Sequence, residues 1–300
     1  MDLEHKAIER IKTASEMSLH YYQKPLVCTY SGGKDSDVML ELFKRSGVPF
    51  EVHNSHTTAD APQTVYHIRE VFRKLELDGD KCSIDYHNKE DGKILTMWNL
   101  IPKKLMPPTR MVRYCCGELK ETFGSQRFIA TGVRWDESNR RKEWGSFSQP
   151  QERLHVSDEI MLNNDNDEKR RITEHCMQKN RMVVNPIIDW KDSDIWDFIE
   201  SESICTNCLY KEGYDRVGCI GCPMAIKKKR QQEFSDFPKY KQAYINAFDR
   251  MLEMRKFRGK ESKWKNGREV FLWWMEDENI EGQLSFDFDG NIYDDLTRNY

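Results

Sequence analysis

The sequence predicts an α/β fold, in which a mainly parallel sheet carries helices on both faces and a smaller helical portion follows. Between residues 25 and 200, short runs rich in β-branched and aromatic residues alternate with segments of helical periodicity. This alternation is typical of a parallel sheet with crossover helices. From residue 227 onward the pattern is helical, and strand-like text returns only near residue 283. The 300 residues, 38% of them hydrophobic, are enough for a large buried core.

Each element follows from a local signal. Residues 1–17 form an amphipathic segment without the apolar core of a signal peptide, so we predict a helix and a cytoplasmic protein. Gly47 marks the end of one helix, and Pro62 the start of the next. No run approaches the roughly 18 apolar residues of a membrane-spanning helix. The predicted strands are 25–30, 48–54, 82–88, 127–133 and 183–190, and the other predicted helices are 35–45, 61–77 and 191–200.

The change to a helical pattern from residue 227 onward suggests two domains, one over residues 1–225 and one over residues 226–300, and the charge is unevenly spread over the second. Segment 227–268 carries 14 Lys and Arg against 5 Asp and Glu, whereas segment 269–300 carries 9 acidic residues and one Arg. The basic segment is either a solvated helical surface or a face for nucleic acid, because aromatic residues are interleaved with its charges. The very polar residues 163–171 predict a surface loop.

A small-residue loop lies between the first predicted strand and its helix. Its six residues are Ser31, Gly32, Gly33, Lys34, Asp35 and Ser36. The glycines permit a tight turn, and backbone N–H groups at a helix start attract a phosphate. The two serines can donate hydroxyl hydrogen bonds, and the lysine can neutralise phosphate charge. The G-x-x-x-x-G-K-[ST] pattern is absent, so the loop predicts a different kind of phosphate site.

A second polar segment follows the predicted strand 127–133. It contains Gly132, Arg134, Glu137 and Arg141. Ligands of open α/β sheets bind beyond the carboxyl ends of strands, where arginines can clamp phosphate or sulfate and a carboxylate can orient an arginine or hold Mg²⁺. The alternative is a cluster of surface salt bridges. Asp60 and Asp35 are further candidates for metal or loop support.

Six of the nine cysteines form a pattern, Cys115–Cys116 followed by C-x2-C-x10-C-x2-C over residues 205–222. Four thiolates at such spacing are typical of a tetrahedral zinc site. They equally suit a [4Fe–4S] cluster. The remaining cysteines, Cys28, Cys82 and Cys176, lie in predicted strands or helices and are predicted to be small buried hydrophobes.

These segments together resemble the phosphoadenosine phosphosulfate (PAPS) reductase family of the ATP pyrophosphatase superfamily, also called PP-loop or adenine nucleotide alpha hydrolase-like. "SGGKDS" is similar to the superfamily's pyrophosphate loop. "RYCCGELKE", "GVRWDESNRR", "NPIIDWKDSDIW" and "LYKEGYDRVGCIGCP" are similar to family segments and follow in the family's order, over roughly residues 24–225.

The resemblance implies an enzyme that binds ATP with Mg²⁺, cleaves it to AMP and pyrophosphate, and adenylates a substrate for sulfur transfer. The acceptor would be a nucleic acid or a small molecule. The implied catalytic residues are Lys34, Asp35, Arg134, Glu137 and Arg141, and the implied nucleotide contacts are Ser31, Gly32, Gly33, Lys34, Asp35, Ser36, Gly132 and Arg134.

The resemblance also favours a [4Fe–4S] cluster over Zn²⁺. The implied ligands are Cys115, Cys208, Cys219 and Cys222, with Cys116 as the substitute and Cys205 outside the set. A spare thiol beside the cluster could carry sulfur or act as a nucleophile. Further implied partners are a sulfur donor protein and nucleic acid at residues 227–268, in a protein that is not membrane-bound and can form oligomers.

Two other functions remain open at this point. The first is a sulfonucleotide reductase that acts on PAPS or adenylyl sulfate. Like other such reductases, it would be expected to have a degenerate loop and a cysteine near the C-terminus. In this sequence the loop is intact, and no cysteine follows Cys222, which favours ATP. The other alternative is a nucleotide-sensing, nucleic-acid-associated regulatory or phage-related protein.

Overall fold

The computed structural model describes residues 2–87, 92, 94–137, 173–176, 181–276, 285–286 and 292–293. Its helices are α1 (Leu3–Tyr22), α2 (Lys34–Ser46), α3 (Pro62–Asp78), α4 (Met97–Lys104), α5 (Tyr114–Leu119), α6 (Asp192–Ser201), α7 (Lys227–Asp236), α8 (Pro238–Phe257) and α9 (Gly267–Glu276). Its strands are β1 (Leu26–Thr29), β2 (Phe50–Ser55), β3 (Lys81–Asp85), β4 (Phe128–Ala130), β5 (Thr173–Cys176), β6 (Arg181–Val184), β7 (Ser285–Phe286) and β8 (Ile292–Tyr293).

The main sheet has the strand order β3-β2-β1-β4-β6-β5. All neighbours are parallel except β5, which runs antiparallel to β6 at the edge. The predicted α/β fold with a mainly parallel sheet is therefore confirmed. Cys176 was expected in a strand or helix, but the sequence did not place a strand of the sheet at β5, because its four residues, "TEHC", show no apolar alternation.

The sheet's core explains why α2 forms where it does. Strand β1 is almost fully buried, and α2 returns across the sheet with its apolar positions Val38, Met39, Leu42 and Phe43 also buried. Spacings of one, three and four residues place these side chains on one face of a helix. The helix ends at Gly47, whose φ of +67° suits a left-handed C-cap. Burial of β1 and of the apolar face of α2 therefore fixes the two elements that flank the loop.

The strand order contains a switch point between β1 and β4. From β1 the chain proceeds to β2 and β3 on one side, and it then crosses to β4 and β6 on the other. The connections that leave β1 and β4 therefore diverge at the carboxyl edge of the sheet and open a crevice there. The loop of residues 31–33 and the segment of residues 131–134 both leave the sheet at this crevice.

The chain divides into two compact units. One comprises residues 1–96 and 114–219, and the other comprises residues 97–113 and 220–300. The domain boundary placed between residues 225 and 226 by the sequence stays a prediction. None of the helices that the structure describes is both long and apolar enough to cross a membrane.

The second unit packs around aromatic side chains contributed by α7, α8 and α9. Phe234, Tyr244, Phe271 and Trp274 are all buried, and their rings meet mostly edge to face. Arg230 is fully buried among them: its Nη1 donates to the Trp274 carbonyl at 3.0 Å, and its guanidinium lies 4.1 Å from the Trp274 ring. Cation–π contact and a backbone acceptor together make this burial tolerable.

Candidate functional site

The loop after β1 is a tight turn that leads directly into α2. Gly32 has a φ of +73°, and a Cβ at this position would lie 2.8 Å from Ile68 Cγ1, so both the conformation and the packing require glycine. Gly33 caps α2: its N–H donates to Ser36 Oγ at 3.1 Å, and the Ser36 hydroxyl donates to the Gly33 carbonyl at 2.7 Å. The predicted glycine turn at the start of α2 is confirmed.

Lys34 is the first residue of α2 and is almost entirely buried. Its Nζ lies 3.0 Å from Asp192 Oδ1, and 5.8 and 5.9 Å from the ring centroids of Trp196 and Tyr210. Its backbone N–H donates to the Tyr210 hydroxyl at 2.8 Å. The ammonium group is thus fixed between one carboxylate and two aromatic rings.

Arg134 reaches the same carboxylate from the far side of the crevice. Its side chain is buried, its Nη2 donates to Asp192 Oδ1 at 2.9 Å, and its Nε donates to Asp35 Oδ1 at 2.7 Å. Burial lowers the pKa of Arg134, but Asp35 and Asp192 more than offset this and raise it. Burial acts to raise the pKa of Asp192, but Lys34 and Arg134 hold that carboxyl below its usual range. Two buried cations therefore converge on one ionised oxygen.

A buried polar cluster lies next to the loop, behind α2. The Tyr30 hydroxyl donates to Asp37 Oδ1, and His67 Nε2 lies 3.0 Å from the Tyr30 hydroxyl and 3.1 Å from Asp37 Oδ1. Asp37 Oδ2 is buried, and the structure gives it no hydrogen-bond partner among the described residues. Burial raises the pKa of Asp37 despite the opposing influence of His67 and Tyr30. A carboxylate is thus held in a poorly solvated position beside the loop.

Asn207 fastens the loop from the opposite side. Its side chain is fully buried, and its Nδ2 donates to the Gly32 carbonyl at 3.3 Å and to Thr64 Oγ1 at 3.1 Å. The sequence analysis did not identify Asn207, Tyr210 or Asp192 as site residues. Two of them lie in segments quoted for the family resemblance, "LYKEGY" for Tyr210 and "NPIIDWKDSDIW" for Asp192, so that resemblance was the available signal.

The other predicted site residues are placed as follows. Gly132 lies beside the loop, where a Cβ would come within 3.4 Å of Asp35 Cβ. Glu137 is in the short 3-10 turn Trp135–Glu137, and Arg141 lies outside the described residues. Asp60 Oδ2 accepts from Thr57 Oγ1 at 2.7 Å and from the Thr57 N–H at 3.3 Å, so it fixes the turn after β2. Its role as a metal ligand or as support for the candidate phosphate loop stays a prediction.

The candidate cysteine ligands, unlike the loop residues, do not lie together in one compact arrangement within the described part of the chain. Cys115 and Cys116 are half-buried on α5, Cys208 is exposed, and the buried Cys219 donates from Sγ to Thr57 Oγ1 at 3.3 Å. Thiolates are suitable donors for an iron–sulfur cluster or zinc. Among the residues that the structure describes, however, no three His, Cys, Asp or Glu side chains lie close enough together to hold a metal ion. The donor types fit such a centre, but the arrangement does not assemble one.

Comparison with known sequences identifies relatives over most of the chain. A family model described as the phosphoadenosine phosphosulfate reductase domain matches residues 25–225. An uncharacterised protein of Methanocaldococcus jannaschii is 25% identical over 259 residues, covering 85% of this chain and 53% of that protein. The adenosine 5'-phosphosulfate reductase of Staphylococcus haemolyticus is 20% identical over 235 residues, covering 75% and 82%. The chain spans about half the length of the M. jannaschii relatives that it matches.

Solved structures give more distant similarities. A phosphate complex of phosphoadenylyl-sulfate reductase from Candida auris is 14% identical, with 72% of this chain and 93% of that chain covered and a TM-score of 0.43. The U34-tRNA thiolase NcsA from Methanococcus maripaludis, solved with its [4Fe–4S] cluster, is 13% identical, with 94% and 85% covered and a TM-score of 0.41. Both TM-scores lie below 0.5.

Proposed function

The chain belongs to the phosphoadenosine phosphosulfate reductase domain family, and we propose that it binds ATP at the Ser31–Ser36 loop and cleaves it between the α- and β-phosphates. Pyrophosphate would leave, and the adenylyl group would pass to an acceptor that is to receive sulfur. One observation carries this proposal. Lys34 and Arg134 converge within 3.0 Å of a single anionic oxygen at the sheet's switch point, which is where α/β proteins bind nucleotides.

The site's groups suit the charge that develops during such a cleavage. Lys34 and the start of α2 would stabilise the departing pyrophosphate, since fixed cations and helix N-termini act most strongly where charge accumulates. Arg134 would hold the α-phosphate, with Asp35 fixing its guanidinium through Nε. Arg141 and Glu137 are proposed as further contacts to the α-phosphate or the acceptor, from their places in the family pattern. Mg²⁺, when bound with the nucleotide, supplies further neutralisation of phosphate charge.

We also propose a thiolate-bound [4Fe–4S] cluster, with Zn²⁺ as the alternative. The candidate ligands remain Cys115, Cys116, Cys208, Cys219 and Cys222. The steps described above use only the loop and its cationic partners, and they hold whichever metal centre the cysteines bind.

A nucleic acid is the acceptor class that the second unit favours. Residues 97–113 and 220–276 of this unit carry 18 Lys and Arg against 7 Asp and Glu, a balance of +11. Arg110 Nε donates to the Pro223 carbonyl at 3.1 Å, so the two segments of this unit contact each other, and each carries exposed basic residues, Arg113 in one and Lys227 and Lys228 in the other. Basic residues from separate segments gathered on one surface are the electrostatic footprint of nucleic-acid binding.

The ATP assignment is tested by pyrophosphate release. Purified protein with Mg²⁺–ATP and candidate nucleic-acid acceptors should release pyrophosphate and leave the acceptor adenylylated, with AMP released only when a sulfur donor is added. Lys34→Ala should lower the rate of pyrophosphate release by roughly 10²- to 10³-fold, the usual cost of losing a transition-state cation or donor. Lys44→Ala, an exposed lysine on the same helix, is the matched control and should keep the rate. Unchanged turnover in Lys34→Ala would remove the loop assignment.

A sulfonucleotide reductase would behave differently in a parallel assay. Release of sulfite from PAPS or adenylyl sulfate with thioredoxin, together with no consumption of ATP, would replace our proposal by that alternative. ATP binding without any pyrophosphate release would instead favour the nucleotide-sensing protein.

The nucleic-acid surface is tested by its salt dependence. Affinity for tRNA or duplex DNA should fall steeply between 50 and 200 mM salt, by about 10³-fold or more if six phosphates are contacted. Lys227→Ala with Lys228→Ala should reduce the salt slope by about two, whereas Lys12→Ala with Lys74→Ala, which neutralises two exposed lysines of the first unit, should not. Equal slopes for both double variants would exclude this surface.

A further inference from the structure

Asp192 occupies the position between the two site cations that an anionic ligand would need. We propose that the Asp192 carboxylate is an internal competitor for the phosphate site, and that a polyphosphate must displace it from Lys34 and Arg134 in order to bind. This inference rests on the assignment of the loop to a polyphosphate, and it adds a residue that sets which anions the site accepts.

The contacts of Lys34 support the displacement. Its ammonium reaches Asp192 at 3.0 Å, and its backbone N–H, which would face a phosphate at the start of α2, donates to the Tyr210 hydroxyl at 2.8 Å. Both donors that Lys34 offers to an anion are therefore satisfied internally by oxygen atoms. The rings of Trp196 and Tyr210 flank its Nζ at 5.8 and 5.9 Å, so the ammonium is held in place and the carboxylate is the group that can move.

The exposures of the three partners point the same way. Lys34 and Arg134 have side-chain exposures of 7% and 3%, whereas the Asp192 side chain is 52% exposed. Asp192 is also the first residue of α6, and its backbone N–H is fixed by Asp136 Oδ2 at 3.0 Å. Rotation about its side-chain bonds can thus release the carboxylate to solvent without moving the helix, while the two cations stay where they are.

The charge balance explains why such a competitor would select among anions. With Asp35 and Asp192 ionised against Lys34 and Arg134, the four groups sum to zero, and loss of the Asp192 contacts leaves the pocket with an unmatched positive charge. A monovalent anion would replace the Asp192 carboxylate by another single negative charge, so its binding would gain little free energy. Pyrophosphate or the tail of ATP can contact both cations with several charged oxygens, and charge-assisted hydrogen bonds of this kind are the strong ones.

The size of the effect follows from the fraction of molecules in which the site is closed. A site that is open in a tenth of the molecules binds its ligand about tenfold more weakly than one that is always open. If the Asp192 carboxylate closes the site in about nine tenths of the molecules, its removal should tighten pyrophosphate binding by about tenfold, and phosphate or sulfate binding should become detectable.

The experiment is calorimetric titration of the full-length protein with pyrophosphate, phosphate and ATP, each with EDTA and with Mg²⁺, and at 0.1 and 0.5 M NaCl. The variants are Asp192→Asn and Asp192→Ala. The control is Asp197→Asn, which removes the same charge from an exposed position on the same helix. Circular dichroism of each variant verifies that α6 and the fold are retained.

The expected result is an approximately tenfold lower Kd for metal-free pyrophosphate in both Asp192 variants at both salt concentrations, and an unchanged Kd in Asp197→Asn. Tightening that disappears in 0.5 M NaCl, where the Debye length is only about 4 Å, would mean general repulsion and would overturn the proposal. Weaker binding of pyrophosphate with Mg²⁺ alone would identify Asp192 as a metal ligand and would overturn it as well. If neither wild type nor variants bind ATP or pyrophosphate, the phosphate assignment itself fails, whereas wild-type binding without tightening removes only the competitor.

Discussion

The candidate phosphate loop and the candidate cysteine ligands were both recognised from short sequence motifs, but their geometries differ. In the loop, Gly33 and Ser36 cap α2 mutually and Gly32 has the left-handed conformation that the turn needs. The cysteines lie on separate segments, and the structure brings no three of the potential ligands together among the residues that it describes. Cys219 instead uses its thiol as a donor to Thr57.

The difference reflects where the stabilising free energy comes from. The loop motif runs over six consecutive residues, from the end of a buried strand into the first turn of α2. Hydrogen bonds between neighbouring residues therefore form its turn and helix cap, which Asn207 and Tyr210 then fasten. A four-thiolate site gathers distant segments and places negative charges side by side, and the metal itself supplies the free energy that assembles them. A contiguous loop can therefore have its binding geometry before the ligand binds, whereas ligands on separate segments are brought together by the metal.

The two regions meet at the residues around Cys208. Asn207 donates to the Gly32 carbonyl, and Tyr210 accepts the Lys34 N–H, so the residues on either side of Cys208 both hold the phosphate loop. A change in what Cys208 binds would be transmitted to the loop through a distance of one or two residues. The candidate ligand Cys208 thus lies next to residues that contact the loop, although the two candidate sites are built differently.

The largest expected effect comes from removing one candidate cysteine ligand. In protein purified under anaerobic conditions, Cys219→Ser should lose nearly all iron and acid-labile sulfide, because loss of even an outer-shell partner commonly lowers metal affinity by about 10- to 100-fold. Cys82→Ser is the matched control. Cys82 is half-buried on β3, where burial raises the pKa of its thiol to about 11, which keeps it protonated and a poor ligand.

Metal analysis and the visible absorption spectrum measure this outcome. A protein that carries one zinc and no iron would keep the thiolate site and replace the cluster. Full iron content in Cys219→Ser would exclude Cys219 from the ligand set and weaken the contrast with the loop.

Much of the molecule could be predicted from the sequence, and the misses have a common cause. The parallel strands follow from their short β-rich runs, two helix boundaries follow from Gly47 and Pro62, and the glycine turn follows from its own residues; all of these are confirmed. Asp192 and Tyr210 were missed because their roles arise from packing across the fold: Tyr210 meets Lys34 across 176 residues of sequence. Nothing in the local text around Asp192 distinguishes its carboxylate from those of its solvent-exposed helical neighbours.

An intermediate effect on stability is expected at Gly32 in the loop. Gly32→Ala should destabilise the protein by about 2–4 kcal/mol, because a left-handed alanine is strained and its Cβ would lie 2.8 Å from Ile68. Gly47→Ala is the matched control, since Gly47 has a φ of +67° and nothing within 4 Å of the added Cβ. It should cost only the conformational part, about 1–2 kcal/mol.

Urea denaturation measures both free energies of unfolding, and pyrophosphate titration measures the site. Only Gly32→Ala should also weaken pyrophosphate binding. Equal losses of stability with equal affinity in the two variants would mean that the close approach at Gly32 does not preorganise the loop.

The smallest expected effect concerns the carboxylate behind the loop. Because burial raises the pKa of Asp37 in the folded protein, the native state binds this proton more tightly than the unfolded chain does. The stability that Asp37 contributes is therefore present below its unfolded pKa and is lost as the pH rises through its raised native pKa. Asp37→Asn removes this titration, so its free energy of unfolding relative to wild type should improve as the pH rises from 3.5 through the raised native pKa of Asp37 and should level off above it. Asp78→Asn, an exposed position at the end of α3, should run parallel to wild type across the same denaturation series. Parallel curves for Asp37→Asn would show instead that Tyr30 and His67 solvate the ionised carboxylate fully, which would make the cluster behind the loop as well satisfied as the loop itself.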